Sequence, residues 1–286
     1  MSGRTILLVF VFLAALPAGL SAQSKKHMAW TVEADTLYNR GDYDGAARMY
    51  TKVLDANPPK NGKYSDRGFY GILYRRAVCY YSTSQFDKAL ADLAVFEPQF
   101  PRSPQPKLLK AFIYRELDDT DKQLENLDAA MSLQAPNADF LKWRGLLRLQ
   151  KDQYAEAKSD LMQARSMEDN AELETYLGLC YHRTGATDSA YSSFNRAIAL
   201  NPTFISAYLY AGSVALQEED YTLGLEYLDL ALRIDGKHAD ALFYKGVALV
   251  ELKQMDEGCR CLNRAFYGGS DDAGDYLAEY CFGSGH

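Results

Sequence analysis

Histidines and cysteines are the residues of this chain best suited to metal binding or nucleophilic catalysis. The four histidines are His27, His182, His238 and His286. They show neither the His-Glu-x-x-His spacing nor any other spacing typical of a metal site. The chain also lacks the Gly-x-Ser-x-Gly motif of a nucleophilic serine and the Gly-x-x-x-x-Gly-Lys phosphate loop. Cys180 and His182 stand two residues apart on a predicted helix, so their side chains point to different faces. The sequence therefore predicts no enzyme, no metal and no cofactor.

The five cysteines divide into two groups. Cys79 and Cys180 lie in apolar helical stretches, and we interpret them as small buried hydrophobes with free thiols. Cys259 and Cys261 are two residues apart on one predicted helix, where they cannot easily bond each other. Cys281 lies on a further predicted helix and could pair with either of them. For this second group, a disulfide to Cys281 and reduced packing residues both stay open.

The first residues have the pattern of a secretory signal peptide. Arg4 is followed by an apolar run over residues 6–20 and by a small residue, Ala22. This run is shorter than the roughly 20 apolar residues that a spanning helix needs. We predict that 1–22 is a cleaved signal peptide and that the mature chain has no integral membrane segment, with an uncleaved anchor as the alternative. No cysteine precedes Cys79, so the sequence offers no lipoprotein cysteine near this segment.

The charge of the chain argues against nucleic acid as a partner. Acidic residues outnumber basic ones by 38 to 31, which gives a formal net charge of −7. Binding to a phosphate backbone needs a concentrated basic face. The densest basic stretch, residues 142–151, interleaves its charges with leucines as an amphipathic helix does.

Small residues recur along the chain at a nearly constant interval. They stand at Ala34, Ala77, Ala111, Gly145, Gly178, Gly212 and Gly246. Twelve residues after each comes a second position, which is small in all but one case: Ala46, Ala89, Gln123, Ala157, Ala190, Gly224 and Gly258. Apart from a longer first step, these second positions recur with a period of about 34 residues, which is typical of helix-turn-helix repeats. Two helices of a hairpin approach closely only where their crossing carries little side chain, which explains the residue type.

The segment "AWTVEADTLYNRGDYDGAARMYTKVLDANP" resembles the tetratricopeptide repeat. The matching residues are Trp30, Ala34, Gly41, Tyr43, Ala46, Tyr50 and Pro58. The resemblance implies an all-α fold, a right-handed superhelical solenoid of helix-turn-helix repeats. We predict a single solenoid domain over 23–272, followed by a capping helix and tail over 273–286. Its seven repeats cover 27–60, 70–103, 104–137, 138–170, 171–204, 205–238 and 239–272.

In proteins that resemble this one, the first helices of the repeats line a concave surface on which extended peptides or partner helices lie. Helical spacing assigns the corresponding residues, which we call the concave stripe: Tyr74, Val78, Tyr81, Leu108, Phe112, Arg115, Lys142, Leu146, Leu149, Leu179, His182, Leu209, Leu216, Phe243 and Val247. Two interpretations stay open, namely packing between neighbouring first helices and a groove for an apolar partner segment. Chaperone-binding members of the family carry a Lys and Asn pair where this chain has Thr31 and Asp35, so that clamp is absent.

These observations predict a non-enzymatic scaffold that binds a protein or peptide partner outside the cytoplasm, in envelope assembly or secretion. The expected location is the periplasm of a Gram-negative bacterium. The alternative is a carrier or sensor module for a small apolar ligand such as a lipid or glycan fragment. A closed, deep pocket would favour the ligand, and an open groove would favour the protein partner. Self-association of the chain is also left open.

Overall fold

The structure, a computed structural model, describes residues 22–282, with side chains described from residue 26 onward. Fifteen α-helices follow one another in this part of the chain, and no residue in it belongs to a β-strand. The helices are α1 (Ala22–Asn39), α2 (Tyr43–Asp55), α3 (Gly68–Ser82), α4 (Phe86–Phe96), α5 (Gln105–Glu116), α6 (Thr120–Leu133), α7 (Ala138–Gln150), α8 (Tyr154–Met167), α9 (Ala171–Arg183), α10 (Thr187–Leu200), α11 (Ile205–Gln217), α12 (Tyr221–Ile234), α13 (Ala239–Glu251), α14 (Met255–Tyr267) and α15 (Asp272–Tyr276). The predicted all-α repeat fold is confirmed. The predicted signal peptide, apart from Ala22, lies outside the described residues.

The chain forms two compact units, one running to Asp118 and the other beginning at Asp119. In the first unit, α1 packs against α2 and α3 packs against α4. In the second unit, four hairpins follow one another, α7 with α8, α9 with α10, α11 with α12, and α13 with α14. The short helix α15 then packs against α14. The boundary between the units falls within 104–137, the predicted repeat in which Gln123 replaces a small residue.

The turns between first and second helices repeat one backbone conformation. Each contains a residue with a positive φ angle at the same point: Gly41, Ser84, Asp118, Asp152, Gly185, Glu219 and Lys253. Members of this set follow one another at the same intervals as the small positions of the second helices. A left-handed residue at this point ends one helix and lets the chain reverse. The repeat is therefore present in the backbone even where the side chains depart from the pattern.

The small residues lie where the two helices of a hairpin cross. A methyl group added to Gly212 would lie 2.8 Å from Leu228 Cγ, and one added to Gly246 would lie 2.7 Å from Leu262 Cγ. Both distances are shorter than van der Waals contact allows, so a side chain at either glycine would push the helices apart. In the first unit, alanines such as Ala34 occupy the same positions and are fully buried. The crossing predicted from the sequence is confirmed.

Ion pairs connect helices in both units. In the first unit, Arg76 donates from two nitrogens to the buried carboxylate of Asp92, at 2.8 and 2.7 Å. In the second unit, Asp160 on α8 accepts from Arg144 at 2.8 and 2.5 Å and from Arg148 at 2.8 Å. Both of those arginines are on α7. The Asp160 side chain is only 4% exposed, and paired, hydrogen-bonded partners are what a buried charge requires.

One disulfide closes the C-terminal part of the structure. Cys259 on α14 is bonded to Cys281, which lies in the π-helical turn Leu277–Cys281 after α15, with 5.8 Å between the Cα atoms. Of the two interpretations left open for these cysteines, the structure contains the disulfide, and the partner of Cys281 is Cys259. Cys79, Cys180 and Cys261 are free and buried. The free thiols predicted for Cys79 and Cys180 are confirmed, and burial raises the pKa of each to about 12.

Candidate functional site

In the first unit, the stripe residues lie on α3 and α5 and differ in burial. Tyr74 and Leu108 are each 7% exposed. The Tyr74 ring packs on Phe96 of α4 with 5.4 Å between the ring centroids, so Tyr74 belongs to the core between these helices. For these two positions the structure matches the packing interpretation.

The remaining stripe residues of the first unit are more open. Val78, Tyr81 and Phe112 are half-buried, and Arg115 is exposed. The rings of Tyr81 and Phe112 lie 6.5 Å apart, and the Arg115 guanidinium lies 5.0 Å from the Phe112 ring centroid. The structure therefore brings α3 and α5 together through a partly open aromatic contact.

In the second unit, the stripe residues lie on α7, α9, α11 and α13, which pack against one another in that order. All nine are half-buried: Lys142, Leu146, Leu149, Leu179, His182, Leu209, Leu216, Phe243 and Val247. Half-burial is the state expected of a groove wall, because one side of each residue packs on the helices while the other faces solvent. The structure thus gathers these side chains into one row across four neighbouring first helices.

The two polar members of that row connect neighbouring helices. The Lys142 ammonium on α7 lies 2.7 Å from Glu172 Oε2 on α9. His182 Nε2 on α9 lies 3.0 Å from Gln217 Oε1 at the end of α11, and His182 Nδ1 lies 3.3 Å from Glu218 Oε1. Since both side chains already have partners, the row that remains for an external ligand is apolar.

The first helices also carry a second row of side chains, which was not predicted from the sequence. An aromatic residue stands two positions before the crossing glycine on each of α7, α9, α11 and α13. These residues are, in order, Trp143, Tyr176, Tyr210 and Tyr244. We call the last three the aromatic row. The signal was the same period that identified the small residues, but the pattern of the stripe drew on other helix positions.

Neither a metal site nor an enclosed chamber stands out beside these rows. Among residues 22–282, no three His, Cys, Asp or Glu side chains are grouped as a metal site would require. The depression beside α14, lined by Asp256, Cys259, Arg260 and their neighbours, is open to solvent. No helix in the described part of the chain is both long and apolar enough to cross a membrane.

The sequence profile of the tetratricopeptide repeat matches residues 31–104 and 144–203. This chain is a tetratricopeptide repeat protein. It is 28% identical to human tetratricopeptide repeat protein 13 over 185 residues, which are 63% of this chain and 20% of that protein. The chain spans 20% to 40% of the length of the curated relatives it matches.

Two solved structures share the fold of this tetratricopeptide repeat chain. One is the C-terminal part of a TPR repeat-containing protein from Cytophaga hutchinsonii, with a TM-score of 0.63, 19% identity, and coverage of 85% of this chain and 98% of that one. The other is PilW, described as a widely conserved type IV pilus biogenesis factor, with a TM-score of 0.59, 18% identity, and coverage of 74% and 100%. At such identities the likeness shows the fold alone.

The two clamp positions of this tetratricopeptide repeat chain serve its own packing. The Thr31 hydroxyl donates to the backbone oxygen of His27, at 2.9 Å. Asp35 accepts from the Tyr50 hydroxyl at 2.6 Å and from Arg75 at 2.5 Å. Asp35 therefore connects α1, α2 and α3, and it places a paired carboxylate where the chaperone-binding members have an amide.

Proposed function

We propose that this chain is an interaction scaffold that binds an extended peptide or partner helix along the concave stripe. The observation that carries the proposal is the row of half-buried apolar side chains on α7, α9, α11 and α13. A continuous, partly exposed apolar surface on a soluble fold is typical of a protein interaction site. Helix faces that stack side by side also offer a partner segment repeated anchor points.

A protein segment fits this surface better than a small ligand does. Sites for small molecules are concave and enclose most of the ligand, in cavities of about 300–1,000 Å³. The depression beside α14 is open and is lined mainly by charged and polar side chains. An open apolar row favours a long partner, which can contact several helices at once.

We further propose that the scaffold works outside the cytoplasm, in the periplasm of a Gram-negative bacterium, in envelope assembly or secretion. The signal-peptide pattern of residues 1–22 supports this location. The disulfide between Cys259 and Cys281 also supports it, because disulfides persist mainly in oxidising compartments. The fold shared with a pilus biogenesis factor is compatible with envelope work.

Site-specific photo-crosslinking in the native cell tests the binding surface. A photoreactive side chain is introduced at Leu146 or Leu209 in the stripe, and separately at Met162 on α8, which is 41% exposed and outside the stripe. We expect a discrete crosslinked partner from the two stripe positions and none from Met162. Crosslinking only from Met162, or only to a second copy of the chain, contradicts the proposal.

Fractionation with N-terminal sequencing tests the location. The mature protein is expected to begin near Gln23 and to be found in the periplasmic fraction. An intact N-terminus in the cytosolic fraction would contradict both the signal peptide and the oxidising compartment.

A further inference from the structure

The aromatic row places one tyrosine on each of three consecutive first helices. Tyr176, Tyr210 and Tyr244 follow the repeat period and lie on α9, α11 and α13, of which α9 packs against α11 and α11 against α13. Burial raises the pKa of Tyr176, and the Glu172 carboxylate and the Tyr210 hydroxyl raise it further. Burial also raises the pKa of Tyr244, and Tyr210 is among the smaller causes. Because these helices pack in that order and each tyrosine has the same position on its helix, the three phenols follow one another across the stack.

The rings of the row are available to a ligand. Tyr210 is 36% exposed, and Tyr176 and Tyr244 are half-buried. No side chain in the described part of the chain forms a hydrogen bond with any of the three hydroxyl groups. Each tyrosine is thus partly exposed and carries a hydroxyl without a side-chain partner in this part of the chain, which is the combination of apolar area and polar tip found at binding surfaces.

The interval between the rings suits one peptide conformation. Helices that pack side by side lie about 8–10 Å apart. A polyproline II helix has three residues per turn and a rise of about 3.1 Å, so it advances about 9 Å per turn. An α-helix advances about 5.4 Å per turn, and a strand returns to the same face after about 6.7 Å. Of these repeats, that of polyproline II matches the interval between packed helices most closely.

Charge distinguishes the two ends of the row. Asp240 lies four residues before Tyr244 on α13, and Asp272 begins α15, which packs against α13. Burial raises the pKa of Tyr244, and both carboxylates raise it further. Both carboxylates are exposed, and neither has an ion-pair partner among residues 22–282. At the opposite end, Glu172 beside Tyr176 is neutralised by Lys142 at 2.7 Å. Free negative charge is therefore concentrated at the Tyr244 end and favours a cation there.

We propose that the aromatic row binds a proline-rich segment in the polyproline II conformation, with prolines between successive tyrosine rings and a Lys or Arg beside Asp240 and Asp272. This inference deepens the proposed function and rests on it, since it names the chemistry of a partner on the same first helices. Prolines dock readily on aromatic grooves because their backbone is already ordered before binding.

Fluorescence anisotropy with the full mature chain tests the inference. The probe is a labelled peptide of nine prolines followed by one arginine. The Tyr210→Ala variant should weaken binding about tenfold or more, as the loss of a central aromatic anchor does. The matched control Tyr267→Ala removes a ring that is 84% exposed on α14 and should leave affinity unchanged.

A second variant pair tests the charged end without touching a ring. The double change Asp240→Asn and Asp272→Asn should weaken binding of the arginine peptide roughly twofold to fivefold. The same change should not affect a peptide in which glutamine replaces the arginine. Because both aspartates are exposed, this arm of the test stays decisive even if a tyrosine variant is unstable.

Three results would overturn the inference. They are no saturable binding of the proline peptide at millimolar concentration, equal affinity of the Tyr210→Ala and Tyr267→Ala variants, and binding of a chitin hexasaccharide to the row in place of the peptide. Crosslinking from Leu146 separates this failure from that of the proposed function. If a partner is still captured there, only the identity of the ligand is wrong.

Discussion

Hairpins α7–α8 and α11–α12 share one backbone conformation and differ in the ion pairs that the first adds. Both turn through a left-handed residue, Asp152 in one and Glu219 in the other. In the first hairpin, the buried Asp160 carboxylate binds two arginines of α7. In the second, Gly212 and Gly224 let the helices touch, and Leu228 is fully buried beside them. Gly145 meets Leu161 in the first hairpin much as Gly212 meets Leu228 in the second. Close packing at the crossing therefore belongs to both hairpins, and the buried ion-pair cluster is an addition in the first.

The largest effect is expected in the charged hairpin. Asp160→Ala leaves Arg144 and Arg148, each 17% exposed, with only the partly exposed Asp128 as a partner. Removing one partner of a buried ion pair strands the other charge, and we expect a loss of about 2–4 kcal/mol in the free energy of unfolding. Urea unfolding measures it. Asp188→Ala, at an exposed site on α10, is the control and should change little.

Added volume at a crossing tests the close packing that the hairpins share. Gly212→Leu forces α11 away from Leu228 and should lower the free energy of unfolding by about 1–3 kcal/mol or more. Gly178→Leu, which meets Phe194, should act in the same direction. Either variant with unchanged stability would mean that the helix contact is misplaced.

The sign of a smaller change sharpens this prediction. Gly71 on α3 has open space where a methyl group would be added. Gly71→Ala should therefore stabilise the chain by up to about 1 kcal/mol through helix propensity, whereas Gly212→Ala should destabilise it. Calorimetric melting of both variants reports the sign, and a gain from Gly212→Ala would contradict the crossing.

The smallest effect tests what the hairpins share. Glu219 has a φ angle of 62°, which a glycine adopts without strain, so Glu219→Gly should raise the free energy of unfolding by about 0.5–1 kcal/mol. The control is Glu218→Gly, at the neighbouring residue, whose φ angle is −85°. That variant should be neutral or destabilising. The same response from both variants would mean that left-handed geometry does not limit the turn.

The sequence predicted those features that depend on local spacing. The period of the small residues located the crossings at Gly212 and Gly246. What it missed depends on side chains that meet across helices. Arg144 and Asp160 belong to different helices, and only the packing of α7 on α8 makes them a pair.

The disulfide partner of Cys281 could not be predicted for the same reason, because it depends on how two helices pack. Cys259 and Cys261 lie at similar distances along the sequence from Cys281, and the direction that each side chain takes from α14 decides between them. The aromatic row follows the repeat period and could have been predicted from the sequence. The predicted concave stripe, however, uses other positions of the same helices. The repeat boundaries and the binding role of the stripe stay predictions.

A thiol count checks the cysteine assignment. In the native protein no thiol should react with a thiol reagent. The free cysteines Cys79, Cys180 and Cys261 are buried, and burial raises the pKa of each. Denaturation without reductant should expose three thiols, and reduction should expose all five cysteines. Five thiols without reductant would contradict the disulfide.

The central claim, that the stripe is an open groove for a partner, is tested most directly by a charge placed in it. Leu146→Glu is compared with Met162→Glu, on the other helix of the same hairpin, by thermal melting and by partner crosslinking from Leu209. We predict that both variants melt close to the unchanged protein and that only Leu146→Glu loses the partner, as a hot-spot residue would. Unfolding of Leu146→Glu before any partner is added would show that the site is buried packing. Undiminished crosslinking in a folded Leu146→Glu variant would contradict the groove.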